Sequence, residues 1–290
     1  MSLAGRVVVM TGAAGGIGRA AAAAFARQGA VLVLTDIRED ALEETAASLG
    51  DRASRLSTVV HDVTRPASWD ALLAGTLADH GRIDILVNMA GVVEPEAAEE
   101  ATVEMIERQV SVNLLGTIFG CRAVLPFMVR QRSGKIVNVA SLGAIVTMPG
   151  EAVYSATKFG IRGYSLSLAA ELQGTPVGVT VVCPDSVDTP QLAYEQLHDD
   201  AVMSFVNDPL PPEAVALGIV RAARTAGREV IIPGIAGAAS RAAMAFPGLF
   251  YLALPRLKKK GLRRIARRRK LASESGGESR RLFPVEEEES

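Results

Sequence analysis

A tyrosine and a lysine stand four residues apart in "VYSATKFG", as Tyr154 and Lys158, thirteen residues after the serine of "NVASLG", Ser141. On a helix that spacing puts both side chains on one face, one turn apart. Such a pair is either surface packing or a proton-transfer device. Free tyrosine ionises near ~10, so its phenol is a poor base at neutral pH. Bringing it near ~7 means stabilising the phenolate by roughly 4 kcal/mol. A desolvated ammonium one turn away supplies interactions of that order. The chemistry such a pair could serve is proton transfer to or from a reacting group, and the rest of the sequence decides between the two readings.

A second stretch concerns phosphate. "TGAAGGIG" carries Gly12, Gly16 and Gly18 between an apolar run, "RVVVM", and an Ala-rich helix. It is a plain turn, or a loop whose backbone approaches a pyrophosphate at a helix N-terminus. Its spacing differs from G-x-G-x-x-G, but the strand–loop–helix setting favours the second reading. Asp36 follows Gly16 by 20 residues at the end of the next apolar run. It is a helix cap, or a carboxylate that binds an adenosine ribose and repels a 2′-phosphate. No Arg or Lys occupies 13–16 or 37, and Arg38 is the nearest cation on that segment, so NAD is expected rather than NADP.

The elements around these residues alternate. Short continuous apolar runs, "RVVVM", "AVLVLTD", "IDILVNMAG", "GKIVNVAS" and "GVTVVCP", read as strands covered on both faces. Helical stretches separate them, including a long one over about 100–131 and one over about 152–172 that carries Tyr154 and Lys158. The pattern predicts a Rossmann-type doubly wound α/β fold, a parallel sheet with helices on both faces. In such a sheet ligands lie beyond the carboxyl ends of the strands. "HDVT", "NMAG", Ser141 and "CPDSVDT" all fall there. Residues 184–212 read as irregular.

Thr11-Gly12-x-x-x-Gly16-Ile17-Gly18, Asp62-Val63, Asn88-x-Ala90-Gly91, Asn113, Ser141 and Tyr154-x-x-x-Lys158 occur in this order across residues 5–233. The chain thereby resembles a short-chain dehydrogenase/reductase of the roughly 250-residue type. The resemblance implies an alcohol dehydrogenase or ketoreductase in which Tyr154 is the acid–base group and Lys158 tunes it and holds the nicotinamide ribose. Ser141 would orient the substrate oxygen, and Asn113 would support a water relay. Gly12, Gly16, Ile17 and Gly18 would hold the pyrophosphate, and Asp36 the ribose. Asp62 and Val63 would lie against adenine, and Asn88, Ala90 and Gly91 would support the sheet edge and cofactor. Pro184, Val187 and Thr189 would complete the nicotinamide side. The family's Pro-Gly-x-Val-x-Thr appears here as Pro184-Asp185-Ser186-Val187-Asp188-Thr189, and Asp in place of Gly puts the local loop shape in question. NAD use suggests oxidation of a secondary alcohol, and the family implies a homotetramer or homodimer.

Two other readings stand beside this one. One is a 3-oxoacyl-thioester reductase-like member using NADP. The other is a non-catalytic dinucleotide-binding scaffold with a membrane-contacting tail. A hydrolase is disfavoured: there is no G-x-S-x-G elbow and no P-loop lysine. The three histidines lack metal-ligand spacing, so no metal is expected. Two cysteines and an N-terminus without a signal-like run point to a reducing, cytoplasmic setting.

The segments expected to choose the substrate, about 188–212 and the stretch after Ser141, carry Leu192, Tyr194, Met203, Phe205, Leu142, Ile145 and Met148. They lack an Arg or Lys to clamp an anion. A lipophilic alcohol or ketone, of steroid, terpenoid, retinoid or polyketide type, is expected.

Net charge is −1 but unevenly spread: residues 1–229 carry 18 basic and 26 acidic groups, residues 230–273 carry 11 basic and none acidic, and 274–290 carry 2 and 6. The division expected is a catalytic domain over 1–233, an apolar and basic extension over 234–272, and an acidic tail over 273–290. Fourteen uncharged residues at 242–255 are too few to cross a bilayer of about 30 Å. With the basic run behind them, residues 242–271 suit peripheral contact with anionic lipid, or docking over the pocket or on a subunit. Nucleic acid is not expected, for want of interleaved aromatics.

Overall fold

The structure is a computed structural model and describes residues 2–50 and 55–274. Seven strands form one all-parallel sheet: β1 (Val7–Thr11), β2 (Val31–Asp36), β3 (Leu56–Val60), β4 (Ile85–Asn88), β5 (Gly134–Val139), β6 (Val177–Pro184) and β7 (Glu229–Ile232), in the order β3-β2-β1-β4-β5-β6-β7. Helices α1 (Gly16–Ala26), α2 (Glu39–Leu49), α3 (Pro66–His80), α4 (Val103–Gln109), α5 (Gly116–Gln131), α6 (Ala152–Glu171), α7 (Pro190–Glu195), α8 (Pro212–Arg224), α9 (Gly234–Ala245) and α10 (Pro247–Glu274) follow in chain order.

The apolar runs split by parity, because successive strand residues point to opposite faces. Val8 and Met10 of β1, Leu32 and Leu34 of β2 and Ile85 and Val87 of β4 enter one core with α1 and α8. Val7, Val9, Val31, Val33 and Leu86 enter the other, with Trp69 of α3 and Val124 and Met128 of α5. Burial on both faces is why these strands read as continuous apolar runs. The alanines of α1 serve close packing: Ala21, Ala22 and Ala24 are buried beside Val215, Ala216 and Ile219 of α8.

The sheet order places the switch point between β1 and β4, whose connections leave in opposite directions. Thr11 ends β1, and its Oγ1 accepts the N–H groups of Met89 (3.0 Å) and Ala90 (3.2 Å), tying the two strand ends together.

The region expected to be irregular, 184–212, contains α7 and a short helical turn, Asp199–Phe205. Thr189 caps α7 by accepting the Leu192 N–H at 3.4 Å, and Pro190 opens it. Residues 103–131 form one continuous helix whose middle, Val110–Leu115, has π geometry. It is long and apolar enough to cross a membrane by composition, but here it packs against the sheet and α3.

The C-terminal segment is helical to the end of the described residues; α10 begins at Pro247 and contains Pro255. One stripe of α10 faces inward: Phe250, Leu254, Leu257, Gly261 and Ile265. These recur every three or four residues, as one helix face requires. Gly261 lies so close to Val202 that a Cβ there would overlap the Val202 backbone and side chain. Three of the arginines bind the loop after β6. Arg264 pairs with Asp208 at 3.1 Å, Arg268 with Asp188 at 2.6 Å and Arg269 with Asp199 at 3.0 Å. The acidic tail expected over 273–290 lies outside the described residues from 275 onward.

Candidate active site

A cavity of about 1170 Å³ opens at the carboxyl ends of the strands. Of the residues singled out from sequence, Gly12, Gly16, Ile17, Gly18, Asp36, Asp62, Val63, Ala90, Gly91, Ser141, Tyr154, Lys158, Pro184, Val187 and Thr189 line it. Asn88 and Asn113 stand behind its wall.

At one end, backbones approach too closely for side chains. Gly12 has φ +66°, and a Cβ there would come within 2.8 Å of the Ala90 backbone. A Cβ on Gly16 would come within 2.7 Å of the Thr189 methyl. The start of α1 has no side-chain cap, so its first N–H groups are left for a ligand. Asp36 Oδ2 accepts the Ala14 N–H at 3.1 Å, which fixes the loop to β2. Its Oδ1 accepts from the Arg38 backbone at 3.2 Å and from Arg38 Nε at 3.3 Å. Asp62 turns the chain after β3, accepting from Thr64 N at 2.9 Å and Oγ1 at 2.7 Å. Asn88 donates to Asn138 Oδ1 at 2.9 Å, and Asn138 donates to Ser165 of α6 at 2.9 Å. Asn88 therefore braces the strand ends from behind.

The π-helical stretch aims Asn113 at the turn after β4. Its Oδ1 accepts from Val92 N at 2.8 Å, and its Nδ2 donates to Val92 O at 2.9 Å and Thr157 Oγ1 at 3.2 Å. Gly91 sits in the corner so formed: a Cβ there would lie 3.2 Å from Asn113 Oδ1 and 3.4 Å from Lys158 Nζ. A π-helical turn at such a place is a common mark of a functional site.

Tyr154 and Lys158 lie in the first turns of α6. Lys158 is 5% exposed, its Nζ is 3.5 Å from Val139 O, and it stands 5.4 Å from the Tyr154 ring centroid. Burial lowers its pKa to about 8. The Tyr154 hydroxyl lies near the polar groups of Ser141 and Gln191. Ser141 Oγ also accepts the Gly143 N–H at 3.1 Å. The pairing matches the sequence expectation, but the charge balance differs from it. Burial, and then the carboxyls of Glu195 and Glu151, push Tyr154 above the ordinary tyrosine range, while its bonds to Ser141 and Gln191 oppose them. In the ligand-free chain the phenol is thus held protonated.

The loop after β6 answers the question raised by Asp185. Among the described residues only Arg132 is a non-glycine with positive φ, so Asp185 needs no left-handed backbone. Its carboxylate instead accepts from Ser186 N at 2.9 Å and Asn207 Nδ2 at 2.8 Å, bracing the loop. Sequence reasoning missed Glu151, Glu195 and Ser204, which line the same cavity; of the readings open for the C-terminal segment, docking over the pocket is the one that Ala243, Phe250 and Leu257 follow, with Ala239 beside them. The cavity is therefore less uniformly apolar than expected, and the C-terminal segment docks over it. An amphipathic stripe in 250–265 was the available signal for the docking. Nothing in the spacing of Glu151 and Glu195 signalled their meeting.

A glycine cradle without room for side chains, an uncapped helix start and a buried carboxylate at the end of β2 fit a nicotinamide dinucleotide. With a phenol and an ammonium at the far end, they define a dinucleotide-dependent oxidoreductase. The short chain dehydrogenase family model matches residues 6–200. The chain belongs to that family, the short-chain dehydrogenases/reductases, and interconverts an alcohol and a ketone. It is 36% identical over 239 residues to D-threitol dehydrogenase of Mycolicibacterium smegmatis, covering 79% of this chain and 92% of that one. Its fold matches a family member from Burkholderia phymatum, solved in complex with NAD, at TM-score 0.78 and 27% identity, over 86% of this chain and 96% of that one. It also matches a variant of actinorhodin polyketide ketoreductase, solved with NADPH, at TM-score 0.75 and 28% identity, over 80% of this chain and 97% of that one.

The buried ammonium has a measurable cost. Lys158 ionises at about 8 in the folded chain against an ordinary value of 10.5. Below pH 8 the penalty is complete, about 3 kcal/mol, and it vanishes as pH rises towards the unfolded value. Lys158→Met is therefore expected to raise the thermal midpoint at pH 7, with the gain shrinking between pH 8 and 10.5. Unfolding monitored by circular dichroism across that range checks it.

Proposed function

We propose that the protein is an NAD-dependent oxidoreductase that interconverts a secondary alcohol and a ketone on a lipophilic substrate. The observation that carries this reading is the single cavity joining the glycine cradle to Ser141, Tyr154 and Lys158. The dinucleotide, when bound, supplies or accepts the hydride. Ser141 donates to the substrate oxygen and fixes its place beside the phenol. Tyr154 exchanges a proton with that oxygen; held protonated, it is ready to give one to a ketone. Lys158 holds the ribose next to the nicotinamide and supplies positive charge when the phenol ionises. Asn113 fixes Val92 and Gly91 against Lys158 and so keeps the ammonium's surroundings rigid.

The preference for NAD rests on Asp36. Its carboxylate faces the cavity, where it would repel a 2′-phosphate, and it holds the Arg38 guanidinium against itself. The lipophilic substrate rests on Leu142, Val146, Met148, Leu192, Phe250 and Leu257, which wall the far half of the cavity. The names of relatives span a polyol and a polyketide, so this chain's own walls carry the choice. The domain reading is a catalytic unit over 1–233 with 234–272 as a pocket-covering extension. Assembly as a homodimer or homotetramer belongs to the same reading, and Val103, Ile106 and Val129 on the long helix are exposed as such packing requires.

We further propose a cytoplasmic enzyme held at an anionic membrane surface. Both cysteines are buried free thiols, consistent with a reducing compartment. Leu249 is 66% exposed and Leu252 69%, with Phe246 and Tyr251 exposed beside them. Arg256, Lys258, Lys259, Lys260, Arg263 and Arg267 follow, all exposed, on a helix with no acid before Glu274. Apolar side chains followed by uncompensated cations match a lipid interface.

Three outcomes test these readings. Tyr154→Phe is expected to lose at least about 1,000-fold in turnover while NADH still binds by fluorescence titration; undiminished turnover would end the mechanism. Asp36→Ala is expected to narrow the ratio of NAD to NADP affinity at least about tenfold. An unchanged ratio would show that the preference lies elsewhere. Full-length protein should sediment with vesicles containing phosphatidylserine and not with phosphatidylcholine alone. Replacing Lys258, Lys259 and Lys260 by Ala should weaken that binding about 100-fold, at about 1 kcal/mol per charge. Equal sedimentation with both vesicles removes the membrane reading.

A further inference from the structure

Beside Tyr154 the cavity carries a polar cluster that the reaction leaves unused. Glu151 precedes α6, Glu195 ends α7 and Ser204 lies in the helical turn that follows; they are 2%, 6% and 7% exposed, and all three line the cavity. Ser204 Oγ donates to Glu151 Oε1 at 3.0 Å, and its hydroxyl also lies near Glu195. Gln191 Nε2 donates to Glu195 Oε1 at 3.2 Å, and Gln191 meets the Tyr154 hydroxyl. Polar contacts therefore run from Tyr154 through Gln191, Glu195 and Ser204 to Glu151. The walls beside them are Val146, Met148, Leu192 and Met203.

Among the described residues, no lysine or arginine forms an ion pair with either carboxyl. Burial, and then the neighbouring Glu195, push Glu151 well above the usual carboxylate range, and burial raises Glu195. Two such groups side by side do not both ionise at neutral pH, because each disfavours charge on the other. A pair that retains one proton offers a donor and an acceptor together. An uncharged hydroxyl uses both. An ammonium would instead pair with the ionised carboxylate, so a preference for it would mark a cation site and not a hydroxyl site.

We propose that Glu151, Ser204 and Glu195 receive a second hydroxyl of the substrate, so that the protein acts preferentially on a hydroxyketone or diol rather than on a simple ketone or alcohol. The proposal rests on the reading that Tyr154 meets the reacting oxygen. Gln191 spans Tyr154 and Glu195, so the second hydroxyl is carried close to the reacting carbon, and the apolar walls take the rest of the molecule. A site that hydrogen-bonds a substrate hydroxyl rejects the analogue that lacks it, because its own polar groups are then left unpaired.

The test compares three ketones on one carbon skeleton: benzoin, deoxybenzoin, which lacks the hydroxyl, and desylamine, which carries an amine in its place. NADH oxidation by the full-length protein gives kcat/KM for each. Benzoin is expected to exceed both others at least about tenfold. Glu195→Gln is expected to lower the benzoin-to-deoxybenzoin ratio about tenfold, mainly through KM, and Glu151→Gln serves as a second variant should the first lose its fold. Equal values for benzoin and deoxybenzoin in the wild type overturn the proposal. A preference for desylamine does so too, as does a ratio unchanged in both folded variants. Where turnover is too slow to compare, displacement of NADH fluorescence gives the same comparison as affinities. Tyr154→Phe separates the two levels. If discrimination fails while Tyr154→Phe is inactive, only the recognition site falls; if Tyr154→Phe reduces deoxybenzoin at the wild-type rate, the underlying mechanism falls.

Discussion

The structure turns on an ammonium and a phenol taken out of water together. Lys158 is buried at a cost that its 3.5 Å approach to the Val139 carbonyl oxygen does not offset, since its pKa still falls to about 8. Tyr154 is pushed the other way, by burial and by two nearby carboxyls. Neither shift serves stability. A fold keeps such groups where their strained ionisation is useful, which is why perturbed titratable groups gather at functional sites. The surroundings are built to hold the pair still. Asn113 fixes the turn that presses Gly91 against Lys158, and Ser141, set by its bond to Gly143, meets the phenol from the next strand.

The other end of the cavity depends on how near backbones can come. Gly12 against Ala90, and Gly16 against Thr189, leave no space for a Cβ, and the ends of β1 and β4 are stitched by Thr11. These contacts join segments far apart in sequence at one point of the sheet. They are possible because β1 and β4 are neighbours whose connections diverge, which leaves a crevice at their ends. Sheet order thus decides where the crevice lies, and the glycines decide how closely the backbones that line it approach.

The sheet was legible because its strands are buried on both faces, so that "VVVMT" and "VLVLTD" are unbroken apolar runs flanked by glycine turns. Most of the residues named for the site come to one cavity because they sit at the carboxyl ends of that sheet's strands. What escaped depended on contacts between distant segments. Glu151 and Glu195 are 44 positions apart and meet only because the segment after β6 returns to the start of α6. The π-helical turn at Val110–Leu115 spans only six residues, too short a stretch for the pattern of 103–131 to reveal the shift of register it introduces. The electrostatics of Tyr154 escaped for the same reason as the glutamates: the lysine is local in sequence, and the carboxyls are not.

The last helix explains how one frame can take a particular substrate. The loop after β6 is acidic at Asp188, Asp199 and Asp208, three like charges that would otherwise stand without a cation. Arg264, Arg268 and Arg269 of α10 pair with those three acids, and Gly261 lets the helix seat against Val202. These ion pairs are partly exposed, and each is individually weak. They act beside a buried apolar stripe ending in Ile265, which supplies the larger share of the docking. Three of the ten cations between Arg256 and Lys270 are thus spent on pairing with the loop, and Arg256, Lys258, Lys259, Lys260, Arg263 and Arg267 face outward. One helix therefore closes the apolar end of the substrate cavity with one face and offers a cationic surface with the other. Any partner that holds the outer face also restrains the cover of the pocket.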